Sequence, residues 1–154
     1  LVHAGFVAAL HRRHLEAEAA ATLTTSELAD PEHYGRIVRD DDGGVVRIVE
    51  YRDATPQERA VHEINVGLYV FRADALRPAL GRLTSDNAQG ELYLTDAVLE
   101  LTRSCHSHGY CVLASAMPHD YDIMGFNTRE ELDFIERSIL EKGLLDENET
   151  DPRP

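Results

Sequence analysis

Apolar residues recur at helical spacing between Phe6 and Glu18, where Phe6, Leu10 and Leu15 fall broadly on one side with His and Arg between them. The chain is therefore expected to open with a surface helix. The small and β-branched run Ala20-Ala21-Thr22-Leu23-Thr24-Thr25 suits a buried strand, and a helix leading into a strand points to α/β layering. Two β-branched runs, Tyr34 to Asp40 and Val45 to Glu50, flank Asp41-Asp42-Gly43-Gly44. A turn of that composition tolerates positive φ, so the segment predicts a β-hairpin. Asp53 to Ala60, broken by Pro56, reads as a loop or short helix, and Ile64 to Phe71 as a strand. Asp74 to Leu83 has the period of an amphipathic helix with Ala75, Leu76, Leu80 and Leu83 on its apolar face.

A polar loop over Thr84 to Glu91 precedes a helix over Thr95 to Arg103, with Thr95 as N-cap and Asp96 well placed against the N-terminal dipole. Tyr110 to Ala116 reads as a strand. Thr128 and Glu131 have the spacing of a capping box that would start a last helix, running to about Lys142 and stopped by Gly143.

With 154 residues, 43% of them hydrophobic, the chain can bury one substantial core. The expected organisation is one unit over residues 1–143 and a frayed acidic tail over 144–154. The start, Leu1-Val2-His3-Ala4-Gly5, has neither an initiator Met nor a secretory signal, and every apolar run is too short for a bilayer crossing. The expectation is a piece of a longer, cytoplasmic chain. A net charge of −13 argues against a nucleic-acid binder, whose affinity would rest on clustered Lys and Arg. It leaves room for one anionic small ligand, because a local cluster or a metal can reverse the field inside a cleft. The Cys105-His106-x-His108-x-x-Cys111 stretch matches no common structural zinc spacing, and buried thiols explain it more simply.

The chemistry lies in an ordered set of short motifs. They are Tyr34-Gly35-Arg36-Ile37-Val38, Ile48-Val49-Glu50, Asp53-Ala54-Thr55, Glu63-Ile64-Asn65-x-Gly67, Asp86-Asn87-Ala88-Gln89-Gly90-Glu91-x-Tyr93-Leu94-Thr95-Asp96, and Gly125-x-Asn127. In this order and at these intervals they resemble the uridyltransferase domain of bacterial N-acetylglucosamine-1-phosphate uridyltransferases, densely from Tyr34 to Asn127 and more weakly back to Leu1. The resemblance implies a Rossmann-like nucleotide-diphospho-sugar transferase fold, here incomplete, with the hairpin over the sugar site. The implied reaction is UTP + N-acetylglucosamine 1-phosphate → UDP-N-acetylglucosamine + pyrophosphate, assisted by Mg²⁺.

It further implies that the backbone at Gly35 and the side chains of Glu50, Asn65 and Thr95 hold the sugar. Asn127 would ligate Mg²⁺ together with an Asp from an earlier loop. Arg52 stands where the family commonly carries Lys, which suggests a phosphate contact. These residue types suit those tasks: a carboxylate accepts from sugar hydroxyls, an amide donates or accepts, and glycine admits a close backbone approach. Taken singly, Glu50 would be a solvated strand-end charge, Asn65 a turn or bulge residue, and Thr95 a helix cap.

No general base and no nucleophile is nominated, because such transfers depend on in-line positioning and charge neutralisation. The family's Gly-x-Gly-Thr-Arg-Met type loop, the following Lys and the Gly-Asp metal motif do not occur among these residues. The chain is therefore expected to hold the sugar side of the crevice and to be inactive alone. Val66 stands in place of the family's usual Thr, and Leu92 in place of a frequent aromatic residue. The alternatives are the same chemistry on another sugar 1-phosphate, or a non-catalytic sugar-phosphate-binding fragment. Oligomerisation is left open.

Overall fold

The computed structural model describes residues 4–108, 111–117 and 129–142. They fall into two units, one within residues 2–122 and one that includes residues 123–154. In chain order the first holds helix α1 (Ala4–Glu16), strands β1 (Ala21–Glu27), β2 (Arg36–Arg39) and β3 (Val45–Val49), and helix α2 (Pro56–Arg59). Strand β4 (Glu63–Phe71), helices α3 (Ala73–Leu80) and α4 (Asp96–His108), and strand β5 (Val112–Ala116) complete it. The second unit contributes helix α5 (Arg129–Lys142).

The five strands form one mixed sheet in the order β3, β2, β4, β1, β5. β1 runs parallel to β5 and antiparallel to β4, while β2 runs antiparallel to both β3 and β4. Side chains alternate across a strand, so β1 serves two layers. Leu23 joins Ile37, Val45, Ile48 and the α4 residue Val98 in one buried cluster, and Ala21 joins Ala79 of α3 and Ala97 and Leu101 of α4 in another. Helices α3 and α4 therefore cover the face to which odd-numbered β1 residues point. Thr22 points to the other face, where its Oγ1 lies 3.0 Å from His14 Nδ1 of α1.

The predicted hairpin is present, with Ile37 opposite Ile48, Gly43 in the left-handed region at φ +82° and Asp40 Oδ1 accepting from the Gly44 amide at 2.7 Å. Its tip is the Asp-Gly turn, and its open end sets Gly35 beside Glu50. α2 begins with a reciprocal capping box between Thr55 and Glu58.

Three expectations are corrected. On α1 the residue that shares the buried stripe with Leu10 is His14, 4% exposed, whereas Leu15 is 60% exposed. A step of one residue rotates a side chain by roughly 100°, which carries Leu15 off the stripe that the four-residue spacing keeps for His14. α3 stops at Leu80, with Gly81 as its C-cap, and buries Ala79 while Leu80 stays exposed. The helix predicted to end at Arg103 continues to His108. The capping box at Thr128 rests on a residue outside the described ones, as do Gly143 and the tail. Among the described residues, no helix is long and apolar enough to cross a membrane.

β4 carries the irregularity that matters for the site. Leu23 pairs with Tyr69 and Thr25 with Asn65, so Val66, Gly67 and Leu68 all stand opposite the single residue Thr24. Gly67 takes φ +87°, a conformation that costs an L side chain about 1–2 kcal/mol.

Candidate functional site

Each element delivers one residue to a common edge of the sheet. Gly35 lies immediately before β2 and Glu50 immediately after β3, so antiparallel pairing of the two strands brings them together. A Cβ on Gly35 would come 3.2 Å from Ile48 Cγ2 and 3.5 Å from Glu50 Oε2. The Asn65 amide donates to the Gly35 carbonyl at 2.9 Å. From the start of α4, the Thr95 hydroxyl donates to Glu50 Oε1 at 2.9 Å. Asn65 is thus bonded to Gly35 and Thr95 to Glu50, with Gly35 and Glu50 side by side between them, although 60 positions separate Gly35 from Thr95 in the sequence.

The bonds also show how each side chain is committed. The Thr95 hydroxyl, predicted as a helix cap, donates to Glu50 across 45 residues instead. Asn65 Oδ1 accepts twice, from the Gly67 amide at 3.1 Å and from the Tyr69 hydroxyl at 2.9 Å. The carboxamide therefore organises the bulge, and its Nδ2 has no partner among the described residues.

Beside this cluster lies a pocket of about 430 Å³ lined by His33, Glu50, Tyr51, Arg52, Gln89 and Tyr93. Glu50 and Arg52 were anticipated there; Gly35, Asn65 and Thr95 lie outside that lining. Arg52 is exposed, a cation at the rim. Four lining residues were assigned no role by the sequence. Gln89 and Tyr93 belonged to a quoted motif, and their polar ends at a loop were the available signal. His33 and Tyr51 gave none, because their packing, ring centroids 4.9 Å apart and edge-on, exists only in the fold.

Arg36 holds the floor of this region. It is 2% exposed, and its guanidinium donates to the carbonyls of Pro31, Glu32 and Tyr34, pinning the loop that ends in Gly35. Burial lowers its pKa, with Arg59 contributing and the nearby Tyr51 and Asp30 opposing. The Arg59 guanidinium stacks over Tyr51, 4.6 Å from the ring centroid. On the other wall, Asp53 Oδ1 accepts from the Ala88 amide at 2.8 Å, and Asn87 Oδ1 accepts from the amides of Gln89 and Glu91. These bonds fasten the 84–91 loop to the turn after β3.

The walls are acidic. Burial pushes the Tyr93 hydroxyl above its usual range, and Asp53, Glu50 and Glu91 add to it. Burial likewise raises the Asp96 carboxyl, with Asp53 and Glu100 adding and Arg47 opposing.

Among the described residues no group of three His, Cys, Asp or Glu is placed to hold a metal ion. Asn127 lies outside the described residues.

The chain matches the nucleotidyl transferase family over residues 3–119. It is 54% identical over 114 residues to the bifunctional protein GlmU of Mycolicibacterium vanbaalenii, a match covering 74% of this chain and 22% of that protein. Against the bifunctional protein GlmU of Pelotomaculum thermopropionicum it is 42% identical over 146 residues, covering 95% and 31%. The chain spans less than a third of either relative's length. Among solved structures it is similar to apo UDP-glucose pyrophosphorylase, with a TM-score of 0.65 at 16% identity over 92% of this chain and 50% of that one, a likeness of fold.

Proposed function

The chain belongs to the nucleotidyl transferase family, and on that premise we propose that it forms the sugar-phosphate side of a sugar-1-phosphate nucleotidyltransferase. The reaction is UTP + N-acetylglucosamine 1-phosphate → UDP-N-acetylglucosamine + pyrophosphate. An oxygen of the sugar phosphate attacks the α-phosphorus of UTP, and pyrophosphate leaves from the opposite side. Asn127 is the residue of this chain that would share in holding Mg²⁺, which would supply charge neutralisation on the phosphates.

The observation that carries this reading is the gathering of Asn65, Gly35, Glu50 and Thr95, bonded in two pairs that lie side by side, next to a pocket with Arg52 at its rim. A pyranose presents hydroxyls that donate and accept, and Glu50 and Asn65 offer the complementary groups. Arg52 supplies positive charge for a phosphate in an otherwise acidic chain. Positioning of one substrate is the role of these residues. The proposed share of this chain in the reaction is to bind and orient the sugar phosphate. Val66 and Leu92, which replace the family's usual residues, favour a second reading in which the same site takes a different sugar 1-phosphate.

Calorimetric titration of the chain with N-acetylglucosamine 1-phosphate, glucose 1-phosphate and UTP tests this. Saturable binding of a sugar 1-phosphate, weakened by about 1–3 kcal/mol in Glu50→Ala and in Asn65→Ala, is the expected result. No binding of either sugar phosphate overturns the site, and steady UDP-sugar formation by this chain alone overturns its assignment as one side of the crevice.

A further inference from the structure

Tyr69 has no role in the reading above, yet its hydroxyl is bonded to one of the residues that carry it. We infer that Tyr69 is a positioning residue that, together with the Gly67 amide, locks the Asn65 carboxamide with its oxygen inward, so that Asn65 presents only a hydrogen-bond donor to the site.

The argument is one of lone pairs. A carboxamide oxygen accepts two hydrogen bonds, and Asn65 Oδ1 receives two, from the Gly67 amide at 3.1 Å and the Tyr69 hydroxyl at 2.9 Å. Rotating the group by half a turn would set its NH₂ against the Gly67 N–H, a donor facing a donor, so Gly67 sets the sense of the carboxamide, and the Tyr69 hydroxyl, bonded to the same oxygen, holds it there. The orientation is therefore fixed by chemistry. The bulge makes it possible: Val66, Gly67 and Leu68 opposite Thr24 bring the amide of Gly67, at φ +87°, back under the side chain two residues earlier.

Tyr69 is itself held. Its ring packs on the cluster of Leu23, Ile37, Val45, Ile48 and Val98, and it lies 5.4 Å from the Phe71 ring. Burial, with the nearby Glu50 adding to it, keeps its hydroxyl protonated well into the alkaline range. What remains free on Asn65 is Nδ2, which has no partner among the described residues. A donor at Asn65 and an acceptor at Glu50 make a polarised pair, so the group recognised at Asn65 is an acceptor, a hydroxyl lone pair or an acyl oxygen. This inference rests on the sugar-phosphate reading only for the identity of that ligand.

Two measurements separate the lock from the ligand. In the unliganded chain, the ¹⁵N relaxation order parameter of the Asn65 side-chain amide is expected to fall in Tyr69→Phe with little change in backbone spectra. An amide that stays equally ordered overturns the lock whatever the chain binds. In titrations with N-acetylglucosamine 1-phosphate, Tyr69→Phe is expected to weaken binding about 3–10-fold, and Asn65→Asp to weaken it further, because it keeps both inward acceptor bonds but removes the donor. Adding Tyr69→Phe to Asn65→Asp should then change affinity less than it does in the wild type. Wild-type binding that is unaltered by either substitution overturns the inference, whereas absence of wild-type binding beside a loosened amide overturns the sugar reading and leaves the lock standing.

Discussion

The Thr95 hydroxyl spans 45 residues of sequence to reach a carboxylate that a strand end would otherwise leave to water. Glu50 is half-buried, so a bond to its charged form is worth more than a neutral one at the surface. Thr95→Val keeps the volume and removes the donor. It is expected to cost about 1–2 kcal/mol of sugar-phosphate affinity, measured by calorimetry, and Thr95→Ser is expected to recover most of it. At this scale the residues that gather were legible, because polar side chains at strand ends and helix starts stand out in an ordered motif. Their commitments were not. Nothing in Asn65-Val66-Gly67 announces that both lone pairs of Asn65 Oδ1 are already used, since that depends on a tyrosine whose ring reads as ordinary strand packing.

Elements were legible where a local rule decides them. The Asp-Gly turn and the β-branched runs each appear close to where their chemistry requires. Departures occurred where a neighbour decides: His14 is buried because Thr22 offers its hydroxyl from the sheet, and Ala79 because α4 packs close with Ala97. The β4 bulge belongs to the same class, for only pairing with β1 shows three residues standing opposite one. Gly67→Ala is expected to lower unfolding stability by about 1–2 kcal/mol in urea titrations, because no L side chain sits comfortably at φ +87°. Moving that amide also disturbs the Asn65 orientation, so affinity should fall along with stability.

For the whole molecule, acidity and topology act together. Burial lowers the His14 pKa, with His11 and Arg72 adding to it. The stability this neutral ring confers is fully present above about pH 6.5, the ordinary value, and is lost as pH falls through the lower folded value. Glu63 contributes a later loss. Burial pushes its carboxyl up, but hydrogen bonds from Arg39 and Thr25 and the Arg39 charge outweigh this and hold it below the usual range, so its contribution disappears in stronger acid. Urea midpoints measured against pH are expected to decline first below about 6.5 and again in the carboxylate range, with the first decline absent in His14→Gln.

The β2–β3 hairpin meets β4 through one register pair, Arg36 opposite Ile64, through the Asn65 amide on the Gly35 carbonyl, and through the Arg39 guanidinium gripping Glu63 at 2.6 and 2.7 Å. Beside the buried packing of Ile37, Val45 and Ile48 on Leu23 and Val98, so short a ladder leaves part of the hold to that ion pair. Concentrated salt should therefore quicken deuterium uptake in the hairpin before it touches β1. Gly35 and Glu50 sit on the loosened side and Asn65 on the fixed side, so the same brine would loosen the proposed sugar-phosphate edge along its seam.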